Sequence, residues 1–306
     1  ETIDLSSLST AINNVNGLSD ALIEDNSIYV GNNPSETTFS AERNVAIGVE
    51  ALDSITTGDE NVAIGFDALT ENTAGDRNVA VGNESLKSNT TGRINTAIGD
   101  GTLSLNTTGS SLVAVGVSAL RDNTSGTYNT ALGTQALIYN TTGSWNVALG
   151  IGSMFENHTG SKNTAIGSRS FNFSYSGDEN TAVGYEALRS VWSVFGGNQN
   201  TAFGASALNE ISTGSGNVAL GYATMGGLST GSYNTAIGYI SGGMTTGQLN
   251  TTIGAYSSVS GTETQNGTAL GYGALVSSSN KIRLGNTSVT VIEGQVPYTN
   301  SSDRRI

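Results

Sequence analysis

Few residues in this chain have the chemistry of a reactive centre. Carboxylates come close together at Asp59, Glu60 and Asp76. A glycoside hydrolase needs two carboxyl groups facing each other across a cleft, one of them held protonated. These three fall instead in successive turns of a repeating pattern, and turns on a convex rod form no cleft, so a polysaccharide depolymerase is disfavoured and no enzyme activity is expected. His158 is the single histidine, and cysteine is absent. That leaves no thiolate metal site and little material for imidazole chemistry. His158 takes the place of a turn threonine and is expected to face solvent. Phosphate-loop, H-E-x-x-H and calcium-coil patterns are all missing, so neither metal nor cofactor is expected. The remaining candidates are aromatic. Trp192 and Phe195 stand in "RSVWSVFGGNQ" (189–199), where most equivalent stretches are polar. An aromatic face suits the C–H side of a sugar ring, which makes this the candidate receptor-contact loop. The competing reading has Val191, Val194 and Phe195 folding back over the core.

The element that would position any of these residues is a repeat. Aligned on the glycine of N-x-A-I-G, the chain shows Gly48, Gly65, Gly82 and onward to Gly184 at intervals of 17 residues. Gly204 follows after 20, Gly254 closes an interval of 16, and Gly271 is the last of fourteen. Asn holds the first position except at Leu112 and Gly267, and Ala the third except at Thr252. Four residues after the glycine comes an apolar column that includes Leu52, Leu120, Phe171 and Leu275, broken by Gly242 and Ser258. A turn follows, typically N-T-T-G. So short a unit suits one coil of a β-solenoid. The expected fold is therefore all-β, a parallel β-roll of fourteen coils, stacked into a rod of about 65 Å at the inter-strand spacing. The repeated Asn is expected to form an amide ladder from coil to coil. Asn-x-Ser/Thr at Asn89, Asn106, Asn123, Asn140, Asn157 and Asn286 reads mainly as a by-product of the turn. Strand residues alternate faces, so Ala46 opposes Val45 and Ile47, and both faces are apolar. One lines the coil; the other needs cover, which another chain can supply. Trp145 shares a position with Tyr128 and Tyr233 and is expected to join an aromatic stack.

Composition restricts partners. Gly accounts for 41 of 306 residues and Pro for only 2, both prolines lying outside the repeats. The net charge is −13, and residues 1–100 hold sixteen acids against four bases. An acidic end with a neutral shaft disfavours nucleic acid, and no apolar run suits membrane insertion. Residues 1–25 carry Leu5, Leu8, Ile12, Val15 and Leu22 in a heptad-like spacing, read as a short coiled-coil stub of a multi-chain bundle. A connecting strand or linker follows at 26–43, then the array at 44–279 and closing strands at 280–300.

The N-x-A-I-G coils resemble the left-handed β-roll heads of trimeric autotransporter adhesins. More closely, "DLSDAL"-like residues at 19–35, "TTGDENVAIGFDALT" (56–70) and "NKIRLGNTSVTVIEGQV" (280–296) followed by "SSDRRI" (301–306) resemble tail-fibre proteins of marine bacteriophages. The resemblance implies a homotrimer with left-handed coils, located in a virion, with tail or baseplate proteins and a host-surface glycan or protein receptor as partners. It also implies that 301–306 join a C-terminal chaperone, with Ser302–Asp303 the processing junction. A bacterial surface adhesin is the alternative.

Overall fold

The computed structural model describes residues 21–24, 26–31, 40–190, 196–243 and 246–292. Each N-x-A-I-G segment forms a three-residue strand, fourteen in all, from Val45–Ile47 to Thr268–Leu270. Neighbouring strands pair in parallel with no stagger: Ala46 lies opposite Ala63, and Ala63 opposite Ala80. They belong to one seventeen-stranded sheet that climbs the molecule coil by coil. The fold is an all-β parallel solenoid, and no helix occurs among the described residues.

Each coil holds two inward columns. The strand alanines are fully buried, as are the leucines four residues after the glycine from Leu52 to Leu208; from Ala46 to Ala236 they join one cluster, and Ala269 packs in a second with Val259, Ala274 and Val276. Ala suits the narrow side of the coil, and a buried Leu contributes about 1.5–3 kcal/mol by leaving water. Those leucines have left-handed backbones: φ is 54° at Leu52 and 51° at Leu120. Bulky residues rarely adopt this region, at a cost of about 1–2 kcal/mol each. Backbone bonds between coils offset it. Leu52 N–H donates to Ala68 O at 3.0 Å, and Leu120 N–H to Ala136 O at 2.9 Å. The motif glycine is required by close approach. At Gly82 (φ 141°) a Cβ would lie 2.4 Å from Gly99 O, so the strand-ending corners nest only without side chains.

The ends depart from the repeat. Ala21–Glu24 pairs antiparallel with Ser27–Val30 around Asn26, and Ser27–Val30 then starts the parallel ladder, Ile28 opposite Val45. Tyr29 takes the alanine position and is fully buried, closing the core at this end. Leu22, the last heptad position of the expected coiled coil, therefore sits in a hairpin strand. The rest of that stub, residues 1–20, lies outside the described residues. Of the expected closing strands, Ile282–Leu284 pairs parallel with Thr268–Leu270. Leu275 was expected in the inward column but is 48% exposed, while Val276 is buried. There the chain runs as a strand, Leu275–Val276 beside Ser258–Val259, and in an extended segment the next residue faces the opposite way.

Candidate surface and the residues that build it

The strand face turned away from the core is apolar and uncovered. Val45 and Ile47 flank each inward alanine, and Ile47 is 45% exposed and Phe203 53%. Ile64, Ile98, Leu132, Ile166, Leu220 and Ile253 repeat the same outward position, all exposed. In-register pairing stacks them into a continuous stripe. The expected division of the strand into one buried and one outward apolar face is what the fold contains.

Two amide ladders fix that stripe. In the first, Asn61 N–H donates to Asn44 Oδ1 at 2.9 Å, and Asn61 Nδ2 reaches Gly75 O at 2.9 Å. The pattern recurs to Asn250 and is interrupted by buried Leu112, whose N–H still donates to Asn95 Oδ1 at 3.1 Å. The second ladder was not foreseen. Asn89 Nδ2 donates to Asn72 Oδ1 at 2.8 Å, and each following turn repeats this as far as Asn157. Asn89, Asn106, Asn123, Asn140 and Asn157 thus have buried amides committed to neighbours, which excludes a glycan there. The first turn threonine is spent the same way: Thr90 Oγ1 donates to Thr107 O at 3.1 Å.

The carboxylates are also occupied. Asp59 Oδ1 accepts the Glu42 N–H at 2.8 Å, and Asp76 Oδ1 accepts the Asp59 N–H at 3.2 Å. Arg43 lies 3.2 Å from Glu60, and Arg93 3.9 Å from Asp76. They tie coils together at the acidic end. Among the described residues no cluster of metal-ligating side chains occurs, and no helix is long and apolar enough to cross a membrane.

His158 does not simply face solvent. It is half-buried between Tyr175 (ring centroids 4.4 Å apart) and Tyr139 (5.9 Å), with Nε2 3.5 Å from Glu156. A ring among stacked rings takes the threonine's place, because the columns bring Tyr139 and Tyr175 to its two sides. The expected Tyr128–Trp145 stack is present, at 4.0 Å and 17°. Trp192, Phe195, Ser302 and Asp303 lie outside the described residues.

Sequence reasoning passed over Arg169 and took Arg189 only as the first residue of the expected contact stretch; the coils bring both to one groove beside Gly152. The only signal was a glycine in a column that holds Gln135 and Arg169 in the adjacent coils. Searches against family models and against characterised proteins find no match to this chain.

Proposed function

We propose that the chain is a structural and adhesive segment of a bacteriophage tail fibre, working as a homotrimer that carries or contributes receptor contacts. The observation behind this reading is the outward stripe from Ile47 to Ile253. Parallel strands with two apolar faces are found covered on both, and contiguous apolar surface along a rod calls for a partner. A second and third copy fit best, because the partner must match a repeat of the same pitch along the same length. The sequence motifs resembling phage fibres supply the virion context, with tail or baseplate proteins at one end and a host-surface glycan or protein at the other. Mass spectrometry of purified virions tests the assignment. The chain is expected among structural proteins, and purified protein is expected to compete with phage for host adsorption. Recovery from bacterial outer-surface fractions, with none in virions, would instead support the trimeric surface adhesin.

A further inference from the structure

The structure assigns a binding site for an anionic saccharide to the groove that opens at Gly152. Most coils carry a side chain two residues after the motif glycine; here the preceding and following coils have Gln135 and Arg169. At Gly152 a Cβ would meet nothing nearer than Arg169 Cγ and Phe155 Cδ2, both at 4.0 Å. The missing side chain leaves a groove of about 320 Å³. That volume is within the range of small-ligand sites, and one sugar unit fits it.

The walls favour negative charge. Arg169 and Arg189 enter from successive coils, and among the described residues the one carboxylate within 4 Å of their guanidinium nitrogens is Glu186, at 3.6 and 3.8 Å, beyond hydrogen-bond range. Among the described residues neither guanidinium has a hydrogen-bond acceptor, so their donors are unspent. Two cationic groups against one carboxylate leave net positive charge in a chain of net charge −13. Asn172 is only 7% exposed, and its Oδ1 accepts the Phe173 N–H at 2.8 Å. That bond fixes the amide orientation, and Nδ2, with no acceptor among the described residues, is the remaining donor. Arginine forks match the planar oxygens of a carboxylate or the oxygens of a sulfate. Phe155 and Phe173 supply apolar walls, and the Arg189 guanidinium lies over the Phe173 ring at 5.8 Å. Aromatic carbon beside directed donors is the surface a sugar ring with a charged substituent requires. A free inorganic anion would use the arginines and leave the aromatic wall idle.

This site deepens the proposed adhesive role and rests on it for its biological meaning, but its test does not. Calorimetric titrations of the full chain use an oligogalacturonate for carboxylate, a carrageenan oligosaccharide for sulfate, neutral maltotriose and inorganic sulfate. Binding of at least one anionic saccharide with Kd of about 1 mM or tighter is expected, with maltotriose silent. Gly152→Gln fills the groove at the cost of a side chain in a left-handed backbone, a cost the fold already bears one coil earlier, where Gln135 holds φ 59° against 61° at Gly152. It and Arg169→Gln are each expected to weaken binding at least about tenfold, some 1.4 kcal/mol, with strand circular dichroism and cooperative melting retained and only Gly152→Gln melting somewhat lower. No binding of either saccharide by the unaltered chain overturns the site. So does full binding by Gly152→Gln, or inorganic sulfate binding as tightly as the sulfated sugar. A groove that binds in a protein absent from virions sinks only the fibre assignment, and a virion protein whose groove is silent sinks only the site.

Discussion

A buried asparagine in this fold is held by its neighbours above and below. Asn106 Nδ2 donates to Asn89 Oδ1 at 2.8 Å and Gly109 O at 3.0 Å, and its Oδ1 accepts Asn123 Nδ2 at 2.8 Å. Asn106→Ala strands partners on both sides, at about 1–3 kcal/mol for each group left unsatisfied. A lowered melting temperature is expected, and a larger drop for Asn106→Asp, whose carboxylate cannot donate; equal melting of all three proteins would contradict the ladder's role. A second residue-scale case is Lys87, 2.7 Å from the nearly buried carboxylate of Asp67. The bond to Asp67, foremost, raises the Lys87 pKa above its ordinary value. Because the folded pKa is raised, this stabilisation is complete below the ordinary lysine value and fades as pH climbs through the raised one. Lys87→Met is therefore expected to lower stability by about 0.5–1 kcal/mol at neutral pH, solvent screening the partly exposed ammonium, with the difference from the parent narrowing above about pH 10.5. Denaturant unfolding at pH 7 and at the alkaline end checks both halves.

At the scale of the coil, the period is the structural unit. Deleting residues 117–133 removes one 17-residue turn and joins Gly116 to Thr134 in register. Neighbouring columns close over the cut, so strand circular dichroism and cooperative melting are expected to survive, since each coil contacts chiefly its neighbours. Deleting 117–124 instead shifts every column beyond the cut and is expected to lose both; survival of both signals would refute register-locked stacking. Much of this element was legible: the strands, their division into one inward and one outward apolar face, the first Asn ladder and the Tyr128–Trp145 stack all follow from period and alternation, while which face turns inward was read only from the structure. What escaped depends on conformations that sequence patterning does not encode. N-T-T-G reads as a surface turn, yet its Asn points inward, because a left-handed leucine just before the turn redirects the chain. Leu275 reads as core by column and is displaced where that left-handed residue gives way to a strand. The groove escaped because a glycine's meaning depends on what the adjacent coils place around it, and Arg169 and Arg189 are far from equivalent positions in a linear reading.

Across the whole molecule, the net charge of −13 is concentrated in the first 100 residues, and the outward stripe runs the length of the array. Coils repeating every 17 residues can pair between chains a whole turn out of step at little cost, so the proposed assembly would benefit from a device that sets the stagger. The same regularity makes the stripe suited to copies of itself, as closed symmetric oligomers require a surface that matches on every subunit. The central claim is that this face is an interface between three chains. Its most direct test is the solution mass of the intact 306-residue protein by multi-angle light scattering across a dilution series. The account predicts three times the mass of one chain at every accessible concentration. A mass of one chain throughout would contradict it.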